Sequence, residues 1–178
     1  MRLKRLAHVL LRVADVERSR TFYQDVLGFQ VVEEDPEHGG VFLSLGEDFH
    51  NLDLAPHPSP GSAQHPKPDQ VGVAHIAFQV DGYPALRDAY VALQDHGVEI
   101  LTATDHVSQR SIYFHDPDGN RLEIYYEVPN ALELFGGNRR GDLDVPLAIK
   151  RPGEPLPDWL LEEWPRERRH DLVGEQVQ

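Results

Sequence analysis

A chain of 178 residues with 40% hydrophobic content holds one domain, or two small modules sharing a core, and is too apolar to be disordered throughout. Lys and Arg number 17 against 30 Asp and Glu, and the resulting charge of −13 argues against nucleic acid and anionic membrane surfaces as partners. The absence of cysteine excludes disulfides, thiolate metal sites and Cys nucleophiles. No apolar run reaches the ~18 residues of a membrane span, and the basic start Met1-Arg2-Leu3-Lys4-Arg5 leads into alternating residues, not a signal-peptide core, so the expected location is cytoplasmic.

Residues 6–13 alternate and are rich in branched side chains, which predicts a strand. Asp15 stands at an N-cap position, and Val16, Phe22, Tyr23, Val26 and Leu27 recur at helical spacing until Gly28 stops the helix. Short strands are predicted at 29–34, 40–45 and 49–55, separated by turn-forming residues. Residues 56–70 are proline-rich and nearly devoid of apolar side chains, and read as a linker. The pattern then restarts with a strand at 71–80, a helix at 83–96 closed by Gly97, and strands at 98–103, 111–115 and 121–127. Asp116-Pro117-Asp118-Gly119 marks the turn between the last two strands.

Both halves therefore read β-α-β-β-β, and they match in letters. Ala7-His8-Val9 with Val13 corresponds to Ala74-His75-Ile76 with Val80, and Leu52-Asp53-Leu54 to Leu122-Glu123-Ile124. The expected fold class is α+β, with two tandem modules (5–56 and 71–128, joined by the linker) whose mixed sheets curl around a shared metal-binding cleft within a domain of 1–128. A Pro/Gly-rich extension follows at 129–178, with one short amphipathic helix expected near 158–165 and a docking or homodimer contact for Trp159 and Trp164.

His8 and His75 occupy equivalent points on equivalent strands, and Glu123 lies on the last strand of the second module. Two imidazoles and a carboxylate that converge form a facial ligand set for an octahedral divalent ion, leaving positions open for substrate. Six other histidines carry no such pattern. His38, His57, His65, His96 and His170 fall in turns, linker, helix end or tail, and His115 ends a strand, all explained by surface solvation. Asp116-Pro117-Asp118-Gly119 lacks the spacing of a calcium loop, and there is no phosphate-binding glycine loop.

Leu6-Ala7-His8-Val9-Leu10-Leu11-Arg12-Val13 followed by Phe22-Tyr23-Gln24-Asp25-Val26-Leu27-Gly28 resembles the opening of the vicinal-oxygen-chelate superfamily of glyoxalases, bleomycin-resistance proteins and extradiol dioxygenases. Val73-Ala74-His75-Ile76-Ala77-Phe78 resembles its second-module opening, and Tyr113 to Tyr125 its closing strand pair. The resemblance covers about 5–128. It implies a metal on His8, His75 and Glu123, Fe(II) first, with Mn(II), Ni(II), Zn(II) or Co(II) as alternatives. It also implies His50 as an acid–base catalyst, Tyr113 as a contact to a substrate oxygen, and His106 in a loop over the substrate. The activity expected from these residues is dioxygen-dependent cleavage of a catechol-like diol. Asp53 points the other way, because glyoxalase I enzymes place a fourth ligand at its position. The alternatives are thus a glyoxalase-type lyase or isomerase with Asp53 on the metal, or a ligand-binding protein without turnover.

Overall fold

The computed structural model describes residues 1–67, 69–106, 108–129 and 144–156. The chain forms two compact units. The first is Met1–Gly72 with Asp116–Asn120; the second is Val73–His115 with the described residues from Arg121 onward.

In the first unit, β1 (Val9–Val13) leads to α1 (Val16–Thr21), which runs on through a single π-turn at Phe22–Val26. Strands β2 (Gln30–Asp35), β3 (Gly40–Ser44) and β4 (Leu52–Pro56) complete a mixed sheet in the order β1-β4-β3-β2. The Asp15 carboxylate caps α1 by accepting from the Arg18 N–H at 3.0 Å, as its position predicts. The linker is not wholly extended, since Pro60–Ser62 makes one 3₁₀ turn. His50 lies before β4, whereas the sequence pattern put it at the start of that strand; Asn51 closes the turn there by accepting the Leu45 N–H through its side chain.

In the second unit, β5 (Ile76–Gln79), α2 (Tyr83–Asp95), β6 (Ile100–Asp105), β7 (Gln109–His115) and β8 (Arg121–Glu127) repeat the plan. The sheet order is β5-β8-β7-β6-β9, and β9 (Val145–Pro146) belongs to the extension, where the sequence predicts no strand. The helix predicted near 158–165 and the tryptophans at 159 and 164 lie outside the described residues. Among the described residues no helix is long and apolar enough to cross a membrane.

The repeat holds at the level of register. β1 runs parallel to β4 with Leu10 opposite Asp53, and β5 runs parallel to β8 with Ala77 opposite Glu123. In each case the carboxylate faces the residue two places after the histidine. The β2–β3 and β6–β7 pairs both slip by one residue near their starts, at Val31/Glu33 and Ile100/Thr102. Gly28 and Gly97 end the two helical segments with φ of 77° and 70°, a conformation that disfavours any side chain.

Alternation along the strands separates core from site. Val41 and Leu43 oppose Leu54 and Leu52 on one face, under α1, while Phe42 opposes Asp53 on the other. Ile112 and Phe114 oppose Ile124 and Leu122 under α2, where Leu86 and Leu93 are buried, while Tyr113 opposes Glu123 on the other face.

The Asp116-to-Asn120 turn is more than a connector. Within the first unit, Asp118 accepts hydrogen bonds from the Ala14 N–H, the Arg18 guanidinium and the Ser19 hydroxyl, each at 2.9 Å. Asp116 accepts from the buried Tyr23 hydroxyl at 2.9 Å. Burial, reinforced by the Asp116 charge, drives the Tyr23 phenol far above its ordinary range.

Candidate functional site

In the second unit, β8 presents Glu123 and β7 presents Tyr113 directly opposite it. Glu123 is only 2% exposed, so an ionised carboxylate there needs partners. It has them: Oε1 accepts from the Tyr113 hydroxyl at 2.9 Å and from the Gln109 amide at 3.1 Å, and Oε2 lies 3.0 Å from His75 Nε2. His75 meets the Tyr113 ring edge-on, with centroids 5.8 Å apart. Desolvation and the Glu123 hydrogen bond and charge push the Tyr113 phenol up to about 12, so its hydroxyl keeps its proton at neutral pH. The Arg121 guanidinium lies over the Tyr113 ring, 4.6 Å from the centroid.

His106 reaches the same group from the end of β6, its Nε2 3.0 Å from the Tyr113 hydroxyl. Its Nδ1 lies 2.5 Å from Asp144 Oδ1. The residues in contact thus run from His75 through Glu123, Tyr113 and His106 to Asp144, all within one unit.

In the first unit, His8, His50 and Asp53 gather, and their ligand atoms lie within 4.8 Å of one another. Asp53 Oδ2 is 3.6 Å from His8 Nε2, and Oδ1 is 3.7 Å from His50 Nε2. Those separations exceed hydrogen bonds. They fall near the roughly 3–3.5 Å expected between two atoms ligating one ion at about 2.1 Å. Asp53 Oδ1 and His50 Nδ1 are both buried without a hydrogen-bond partner. A buried polar atom left unpaired costs about 1–3 kcal/mol, and a cation would satisfy the carboxylate oxygen. The donor chemistry of imidazoles and carboxylates suits a divalent metal. The His50 ring sits between those of His8, at 4.6 Å, and Phe42, at 5.5 Å.

The sequence-predicted residues therefore appear as two groups, His8 with His50 and Asp53, and His75 with Glu123, Tyr113 and His106. Two partners were missed. Gln109 stands four residues before Tyr113 on the same face of β7, so strand alternation followed two steps back through Ser111 would have found it. Asp144 lies in an extension with no periodicity, and no spacing in the sequence points to it. Among the histidines read as solvated, His38 Nδ1 pairs with Asp35 at 2.9 Å, and His65 Nδ1 lies 2.7 Å from the Asp118 carbonyl.

Comparison with known proteins places the chain in a family. The chain is 37% identical over 120 residues to biphenyl-2,3-diol 1,2-dioxygenase 3 of Rhodococcus globerulus, covering 67% of this chain and 62% of that protein. It is 30% identical over 185 residues to biphenyl-2,3-diol 1,2-dioxygenase 2 of the same organism, covering 97% and 95%. Among solved structures, a glyoxylase/bleomycin resistance protein/dioxygenase domain from Frankia sp. EAN1pec superposes with a TM-score of 0.64 at 20% identity, over 71% of this chain and 99% of that one, a likeness of fold. The sequence profile of the Glyoxalase/Bleomycin resistance protein/Dioxygenase superfamily matches residues 5–124, which take in the first module, most of the second and every residue of the two groups, and the chain belongs to that superfamily.

Proposed function

We propose that the protein is a metal-dependent extradiol-type dioxygenase that opens a catechol-like vicinal diol with dioxygen. The observation that carries this reading is the contact of Tyr113 with Glu123 on one side and His106 on the other, with His75 against the same carboxylate. The metal ligands in this proposal are His8, His75 and Glu123, a two-nitrogen, one-carboxylate set that suits Fe(II) and also accepts Mn(II), Ni(II) or Zn(II). When bound, such a metal supplies chelation of the diol and the redox chemistry with dioxygen.

The chain's own residues supply orientation and proton control. Tyr113, protonated at neutral pH, donates its hydrogen bond to a substrate oxygen in place of Glu123. His50, whose ring packs against that of His8, accepts the proton of a diol hydroxyl and later returns it to the ring-opened product. His106 Nε2 lies against the Tyr113 hydroxyl and sets its orientation beside the substrate.

A second reading has its own support. Asp53 approaches His8 and carries an unpaired buried oxygen, as a fourth metal ligand in a glyoxalase I-type lyase or isomerase would. The deciding experiment is anaerobic loading with Fe(II), followed by a panel of catechols in an oxygen electrode. Dioxygen consumed mole for mole with a yellow ring-fission product supports the dioxygenase. Thiohemiacetal isomerisation without oxygen uptake supports the lyase. Ligand-induced stabilisation without either means a binding protein of this fold.

A further inference from the structure

We infer that Asp144, supplied by the extension beyond the second module, is a positioning residue that fixes the tautomer and orientation of the His106 ring. The role in turnover rests on the dioxygenase reading above; the effect on the ring does not.

The extension is built to deliver this side chain. β9 pairs antiparallel with the end of β6, Val145 opposite Asp105 and Pro146 opposite Thr104. Proline, lacking an N–H, suits such an edge strand. The Leu147 N–H then donates to the Ala103 carbonyl at 2.9 Å, and the Leu147 side chain is buried. Further on, the Lys150 N–H donates to the Tyr83 hydroxyl on α2 at 2.9 Å. The backbone following Asp144 is thus tied to both strand and helix, and Asp144 itself stands beside His106, the residue after β6.

The chemistry follows from the donor count. An ionised carboxylate only accepts hydrogen bonds. At 2.5 Å from Asp144 Oδ1, His106 Nδ1 must carry the hydrogen. In the neutral ring that assignment leaves Nε2 bare, an acceptor 3.0 Å from the Tyr113 hydroxyl that competes with Glu123 Oε1 for its single hydrogen. Without Asp144 the ring is free to exchange its tautomers and to rotate. The Asp144 side chain is 66% exposed, so solvent screens its charge, and its effect is geometric more than electrostatic. Its removal also disturbs no core.

The test uses the full-length chain, ¹⁵N-labelled and loaded with diamagnetic Zn(II). Two-bond ¹H–¹⁵N correlations of the histidine rings report the tautomer, with His106→Gln to assign the signal. The wild type and Asp144→Asn, which keeps an acceptor, are expected to hold the hydrogen on Nδ1, and Asp144→Ala to shift toward the Nε2–H form of free histidine. In the Fe(II)-loaded enzyme, kcat for a turned-over catechol is expected to fall about tenfold in Asp144→Ala with KM within about twofold, and to recover in Asp144→Asn. An unchanged His106 tautomer in Asp144→Ala overturns the inference. So does a changed tautomer with unchanged kcat, since the ring is then not held for the reaction. If the tautomer shifts but no variant, wild type included, turns over any catechol, the dioxygenase reading fails and the control of His106 by Asp144 stands.

Discussion

The two modules carry the same arrangement with different chemistry. Asp53 and Glu123 hold the same register against β1 and β5, and Phe42 and Tyr113 hold the same register against those carboxylates. In the second module the longer carboxylate comes within 3.0 Å of its histidine and receives a phenol hydrogen bond. In the first the shorter one stops at 3.6 Å, faces a ring with no hydroxyl, and keeps a buried oxygen unpaired. One methylene and one oxygen atom therefore separate a carboxylate that is already satisfied from one that still needs a partner. The backbone positions repeat, and the two modules differ in the atoms that meet there.

The largest expected effect exploits that difference directly. Glu123→Ala should weaken binding of a divalent metal by more than about a hundredfold, because even partners that only orient a ligand are worth about ten- to a hundredfold. Asp53→Ala should leave affinity within a fewfold in a dioxygenase and should lower it as steeply as Glu123→Ala in a four-ligand lyase. Isothermal titration of both variants with Zn(II) or Mn(II) reads the outcome. Equal losses would mean that the modules share the metal on equal terms.

Next in size is Tyr113→Phe, which makes the second module resemble the first. It should lower kcat about ten- to a hundredfold, the range of a positioned proton or hydrogen-bond donor, with a smaller change in metal affinity. Steady-state kinetics with a catechol measure the first, and titration the second. Loss of metal binding as large as in Glu123→Ala would mean that the hydroxyl serves only to hold the carboxylate.

The comparison also shows what a single sequence reveals. The modules were legible because His8 and His75, and then Asp53 and Glu123, recur with matching neighbours, and the register in the structure confirms that correspondence. The turn between β7 and β8 was legible from Asp116-Pro117-Asp118-Gly119, and the antiparallel register it permits sets Tyr113 opposite Glu123. The hydrogen bonds of Asp116 and Asp118 to Tyr23, Ser19 and Arg18 were not, since they join positions about a hundred residues apart with no periodic signal. Asp144 was illegible for the same reason. A two-residue strand in a Pro/Gly-rich stretch forms only because an edge of β6 stands ready to pair with it.

Tyr23 offers a pH test confined to the first unit. Its folded pKa lies above the ordinary value of 10, because burial and Asp116 both disfavour the phenolate. Stability from this group is complete below pH 10 and is lost as pH rises from 10 toward the folded value, at up to about 1.4 kcal/mol per pH unit. Tyr23→Phe should therefore cost about 1–2 kcal/mol at pH 7 through the lost hydrogen bond to Asp116, yet flatten the decline above pH 10. Urea midpoints from pH 7 to 11 measure both. An unchanged alkaline slope would assign it to Tyr113, Tyr125 and Tyr126, whose phenols are also raised, chiefly by burial.

The smallest effect is also the most direct test of divergence at one atom. Phe42 sits opposite Asp53 as Tyr113 sits opposite Glu123, so Phe42→Tyr places a hydroxyl where the unpaired Asp53 oxygen can receive it. In the metal-free chain that new hydrogen bond should raise stability by about 1 kcal/mol, read as a higher urea midpoint with an unchanged slope. The gain should disappear in Asp53→Ala/Phe42→Tyr, because the partner is gone; a double-mutant cycle isolates the pair. With a divalent metal present, the two proposed ligand sets part company. If Asp53 ligates the ion, the added hydroxyl competes for its oxygen and metal affinity falls. If His8, His75 and Glu123 hold the ion without it, affinity is unchanged, and Asp53 keeps the register of Glu123 without sharing its part in the site.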